Sequence, residues 1–103
     1  MIKHIVAFRL ISTSVEQKRR DAAVMKTELE GIAPLIDEVI NIHVGTDPGL
    51  VDGHWDVVLV SDFATNANLE TYQAHPEHVR ASKNVGRFVA ERAIVDYEFQ
   101  PRS

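Results

Sequence analysis

The sequence predicts an α+β domain with the element order β-α-β-β-α-β, a four-stranded antiparallel sheet carrying its helices on one face. Three observations lead there. Four short segments alternate apolar and polar residues or are rich in β-branched and aromatic side chains. Two longer segments space their apolar residues by three and four. Strand-helix-strand thus occurs twice, with turn-forming residues between the units. A length of 103 residues allows one domain, residues 1–103, with a modest core.

The first strand covers residues 2–10. Ile2, His4, Val6, Phe8 and Leu10 point one way, and Lys3, Ile5, Ala7 and Arg9 the other. "STSVEQ" then starts a helix, because Thr13 with Glu16, or Ser14 with Gln17, fits a capping box. Ala22, Met25, Leu29 and Ile32 form its apolar face, and Gly31 and Pro34 end it. Residues 38–44, "EVINIHV", are the second strand, and residues 55–62, "WDVVLVSD", the third. The turn-rich "GTDPGLVDGH" makes a hairpin of them. A second helix begins near Thr65 or Asn66 and presents Leu69 and Tyr72. Pro76 interrupts it, and a further helical stretch carries Val79, Val85, Phe88 and Val89. Residues 93–99, "AIVDYEF", close the sheet. The order is the ferredoxin-like split β-α-β arrangement.

Two helices cover one face of such a sheet. The other face should then be polar, yet Val58 and Val60 oppose Val57 and Leu59, and Ile5 and Ala7 oppose the main row of the first strand. This predicts that the open face is buried against a second copy, as a two-fold homodimer.

Composition excludes several classes of function. Net charge is −4, and the one basic cluster, Lys18 to Arg20, lies among Glu16, Gln17 and Asp21, so no nucleic-acid surface is expected. Without cysteine there is no disulfide, thiolate nucleophile or thiolate metal site. The histidines are scattered and no carboxylate cluster completes a metal site. Asp47 and Asp52 flank a turn and lack the regular spacing of a calcium loop. No glycine-rich phosphate loop or other cofactor motif appears. The N-terminus reads directly as a strand rather than a signal segment, and no apolar run reaches membrane-spanning length. A cytoplasmic location without membrane contact is the expectation.

The segment with chemical potential is "YQAHPEHVR", residues 72–80. The residue before a proline is pushed out of helical conformation, and proline suits the first helical position. His75 is therefore expected to cap a helix restarting at Pro76, with His78 in its first turn. A helix N-terminus disfavours a protonated imidazole, which biases His78 toward the neutral form a general base needs. Tyr72 can donate to a developing oxyanion across the kink. His4 and Asp96 stand on neighbouring strands, where a carboxylate fixes an imidazole tautomer. A purely structural reading stands beside this one. In it His75 and His78 serve the kink, Tyr72 is a core aromatic, and His4 is a satisfied core histidine.

"KHIVAFRL", "DVVLVSDF", "YQAHPEH" and "VDYEF" together resemble the stress-responsive dimeric α/β-barrel (Dabb) family over essentially the whole chain. The resemblance implies a ferredoxin-like protomer whose sheet packs on its partner's. It also implies a pocket between sheet and helices for a small apolar or aromatic molecule, faced by His4, Val6, Phe8, Leu59, Tyr72, His75, His78 and Asp96. A plant polyketide cyclase of this family matches at Tyr72, His78, His4 and Asp96. It implies an alternative: a cofactor-independent lyase or cyclase for an enolisable carbonyl, with His78 as base and Tyr72 as oxyanion donor. The chain departs from that cyclase at Val57, where the enzyme has a further histidine; His54 is close in sequence but at the strand entrance.

Overall fold

Strict alternation over nine residues forms the first strand, β1 (Ile2–Leu10), whose even-numbered side chains are all buried. The computed structural model describes residues 1–102. Helix α1 (Val15–Glu30) follows, capped by Ser14, whose hydroxyl accepts from the Gln17 amide at 3.2 Å. The reciprocal half of the expected capping box is missing, and the Gln17 side-chain oxygen that would supply it accepts from Arg20 at 2.9 Å instead. Ala22, Met25, Leu29 and Ile32 are buried as the spacing predicts. Gly31 ends α1 in right-handed conformation (φ −66°), and the chain continues through a short 3-10 turn, Ala33–Leu35, containing Pro34.

Strand β2 (Asn41–Thr46) begins three residues later than the sequence predicts and pairs antiparallel with β3 (Val57–Phe63). Ile40, expected inside the strand, lies before it and is exposed. Two side chains of α1 fasten the outer edge of β2. Glu30 accepts from the Val44 amide at 2.9 Å and Lys26 donates to the Val44 carbonyl at 2.6 Å, occupying the outer edge of β2 at that residue. Asp47 accepts from the Gly49 amide at 2.9 Å and fixes the following turn, where Gly49 (φ 77°) needs the left-handed region.

Helix α2 (Asn66–Ala74) is capped by Thr65, and α3 (Pro76–Gly86) restarts at the proline. The last strand, β4 (Val89–Glu98), starts four residues earlier than expected. Phe88 and Val89 are therefore not helical. The Phe88 amide closes the end of α3 on Val85, and its carbonyl accepts from Ile11, which turns the chain straight into β4.

The sheet order is β2-β3-β1-β4, all neighbours antiparallel, the ferredoxin-like topology. The core lies between the sheet and the helices, with Met25, Ile32, Ile36, Val44, Phe63 and Tyr72 fully buried. The helices do not cover β4, whose residues after Val89 are all exposed. Among the described residues no helix is long and apolar enough to cross a membrane.

Candidate functional site

Register places the site. In the β1–β4 pairing His4 stands opposite Asp96, Val6 opposite Ile94 and Phe8 opposite Arg92. Since His4, Val6 and Phe8 point to the helices, so do their cross-strand partners. His4 is buried, and its Nδ1 lies 2.5 Å from an Asp96 carboxylate oxygen. A carboxylate accepts, so Nδ1 carries the proton and Nε2 is left as the free nitrogen of the neutral ring.

The helix junction supplies the other half. His75 adopts extended backbone (φ −64°, ψ 137°), and its Nδ1 accepts from the Glu77 amide at 3.1 Å, capping α3. His78 points the other way. Its Nδ1 lies 3.0 Å from the Gln73 carbonyl, one of the groups left unpaired at the end of α2. A carbonyl only accepts, so Nδ1 of His78 donates and the unprotonated Nε2 accepts from the Ser82 hydroxyl, one turn along α3, at 3.3 Å. One nitrogen of His78 thus closes a helix end, and the other remains basic.

Tyr72 sits between the two histidines. Its ring centroid is 4.5 Å from that of His78 and 6.4 Å from that of His4, with Phe63 behind it at 5.0 Å. The residue is 1% exposed, yet its hydroxyl makes no hydrogen bond among the described residues. Burial pushes its pKa up to about 12, so it stays a proton donor at neutral pH. His78 is held below its ordinary value of 6.5, first by burial and then by the charge that Arg92 carries and His4 can carry, while its bond to Gln73 opposes the shift. The direction is that expected from the sequence, but burial rather than the helix terminus is the leading cause.

These groups border a small cavity of about 100 Å³ between β1, β3, β4 and the helices. His4, Val6, Phe8, Leu59, Tyr72 and His78 line it, as do Gln73, Ser82, Val85, Leu29, Arg92 and Ile94. Asp96 stands behind His4 rather than in the wall. His75, expected to face a ligand, is not part of the lining, because capping α3 turns its ring away. Val57 is buried in the core, and His54 lies in the β2–β3 loop, 3.0 Å from Asp47. Neither reaches the cavity.

Arg92 and Ser82 were absent from the sequence expectation. Arg92 fell outside the strand as drawn; extending the 96, 94 alternation by one step against His4, Val6 and Phe8 finds it. Ser82 lies four residues after His78 and shares its helix face.

A larger cleft of about 410 Å³ runs between α1 and the β2–β3 loop. Its charges are largely matched internally, Lys18 with Asp56 at 3.2 Å and Lys26 with Glu30 at 2.8 Å. It has no group comparable to the unpartnered Tyr72 hydroxyl, so the smaller cavity is the candidate site.

Sheet order, helix placement and this sheet-to-helix cavity define a ferredoxin-like domain of the α/β-barrel class. The chain belongs to the stress responsive A/B barrel domain (Dabb) family, whose model matches residues 2–99. It is similar to a dimeric protein of unknown function and ferredoxin-like fold from Bacteroides fragilis. That likeness has 35% identity and a TM-score of 0.82, and covers 95% of each chain. A dimeric ferredoxin-like protein of unknown function from Thermobifida fusca is 28% identical, with a TM-score of 0.74 over 95% of this chain and 90% of that one. A hydroxynitrile lyase from Passiflora edulis shares the fold at 19% identity, with a TM-score of 0.69 over 99% and 95% of the two chains. No curated protein matches the sequence.

Proposed function

We propose that the protein is a homodimer closed through its open sheet face and that each protomer binds a small, largely apolar carbonyl compound in the cavity between sheet and helices. The observation that carries the ligand is the Tyr72 hydroxyl, a donor on the cavity wall with no hydrogen-bond partner among the described residues. The hydroxyl opens on the cavity rather than being sealed in the core, so an acceptor on a ligand would replace water with a hydrogen bond worth about 0.5–1.5 kcal/mol. Val6, Phe8, Leu59 and Ile94 supply the apolar wall.

For the dimer, the open face has the anatomy of an interface. Ile5, Ala7, Val58 and Val60 are only partly buried and Val95 is 59% exposed in the protomer. Lys3 over Phe99 and Arg9 over Trp55 border them as cation–π pairs. The solved Bacteroides and Thermobifida relatives are described as dimeric, which supports the same assembly here.

A second reading, proton transfer on an enolisable carbonyl, is favoured by the unprotonated Nε2 of His78, held by a long 3.3 Å bond from Ser82, in a ring beside Tyr72. Nε2 would take the proton from the carbon next to the carbonyl. The C–H electron pair would become the enolate double bond, and the oxyanion would accept from Tyr72. The Nε2–H of His78 would then return the proton to carbon, while His4, held by Asp96, flanks Tyr72 on its other side. The hydroxynitrile lyase on this scaffold adds fold-level analogy only.

Titration with pentane-2,4-dione, followed through the imidazole signals of His78, tests the ligand site. The wild type should show saturable shifts, and Tyr72→Phe should bind about tenfold more weakly while unfolding at an unchanged or higher denaturant concentration. Indifference of His78 to the dione, or undiminished binding by Tyr72→Phe, would remove the proposal. Exchange of the dione's central protons catalysed by wild type and lost in His78→Gln would establish the second reading.

A further inference from the structure

The cavity wall has a sign. It carries three side chains able to hold positive charge, His4, His78 and Arg92, and no aspartate or glutamate. The carboxylate closest in role, Asp96, is committed to His4. Arg92 stands opposite Phe8 in the sheet, with its guanidinium carbon 5.9 Å from the Phe8 ring centre. Among the described residues it makes no ion pair and no hydrogen bond. Arg9 pairs with Glu91, and Arg80 with Glu28 and Glu77; Arg87, like Arg92, only lies over an aromatic ring, Phe88, but it does not line the cavity. Arg92 therefore presents a planar set of N–H donors, suited to two parallel bonds to a carboxylate, at the rim of the cavity.

A neutral carbonyl compound would satisfy Tyr72 and leave Arg92 unanswered. Resting on the ligand site proposed above, we propose that the molecule bound here is an oxo acid: its carbonyl oxygen accepts from Tyr72, its carboxylate pairs with Arg92, and its apolar body lies along Phe8 and Ile94. The positive surroundings that help to hold His78 neutral favour an anion in the same space.

Two near-isosteric pairs of probes test this: pentane-2,4-dione against 3-oxobutanoate, and hexane-2,5-dione against 4-oxopentanoate, which lengthens the spacing by one methylene. In each pair a carboxylate replaces an acetyl group. In at least one pair the oxo acid should bind the wild type about 10- to 100-fold more tightly than the dione, the range of a charge-assisted hydrogen-bonded pair. Arg92→Gln should reduce the oxo acid to the affinity of its dione. Raised salt should weaken the oxo acid selectively, because Arg92 is exposed. Equal affinity within both pairs, or a preference that survives Arg92→Gln, would overturn the oxo-acid assignment and leave the dione site standing. Binding of none of the four probes would overturn both.

Discussion

The two faces of the sheet are built from the same four strands and handle burial in opposite ways. On the helix side polar groups are taken inside and matched: His4 with Asp96, and the Ser61 hydroxyl with the His4 carbonyl at 3.2 Å. On the open side the centre is aliphatic and polar matching is confined to its margin, where Lys3 and Asn41 meet Asp62, but nothing in the protomer covers it. One face is therefore completed within the chain, apart from one unpartnered hydroxyl; the other is completed only by a second molecule. Function and assembly are separated by the pleat, since successive side chains of β1 serve one or the other.

The strongest way to break this contrast is to charge the open face. Val95→Asp alters a side chain already 59% exposed in the protomer, so the isolated fold should lose little. In a sheet-to-sheet dimer the new carboxylate would be buried without a partner, at a cost of about 3–5 kcal/mol. Light scattering at micromolar concentration should show the wild type as a dimer and the variant as a monomer. A monomeric wild type, or an intact dimer in the variant, would mean that the apolar face serves something else.

A smaller effect is expected on the helix side. Asp96→Ala removes the acceptor for His4 Nδ1, leaving a buried N–H to find water. The Asp96 side chain is itself 40% exposed, so solvent can take over part of its role and the loss should be about 1–2 kcal/mol. Denaturant unfolding at fixed protomer concentration measures it, since assembly couples stability to mass action. No change in stability would mean that the pair orients the imidazole without supporting the fold. A much larger loss would mean that the cavity collapses without it.

How far each face was legible in the sequence follows from what sets it. Alternation specifies which side chains share a face, so the two-sided apolar character of β3 and the pairing of His4 with Asp96 could be read directly. The strand ends could not. The start of β2 follows its pairing with β3, which begins with Asn41 opposite Asp62, a contact between elements that no local pattern encodes. The early start of β4 hid Arg92 for the same reason. The motif "YQAHPEH" was legible as a kink with a cap, but its two histidines look alike in sequence. Only the fold separates them: His75 faces the amides that start α3, while His78 faces the carbonyls that end α2 and turns its second nitrogen to the cavity.

That division of His78 predicts the smallest effect and the most informative. Its pKa is lowered in the folded state, so between 6.5 and the lowered value the unfolded chain binds more protons than the folded one. In that window stability rises with pH. The contribution of the neutral ring is fully present above 6.5 and is lost as the pH falls toward the folded value. His78→Gln, which keeps a donor for the Gln73 carbonyl but cannot titrate, should remove this component. The difference in unfolding free energy between wild type and variant should be flat above 6.5 and should shift against the wild type below it. Arg92→Gln should narrow the window, because a positive neighbour has gone. A difference that favours the wild type on acidification would mean that the bond to Gln73, which prefers the cation, outweighs burial. His78 would then be a structural clamp carrying a charge, and the base at this site would have to be His4.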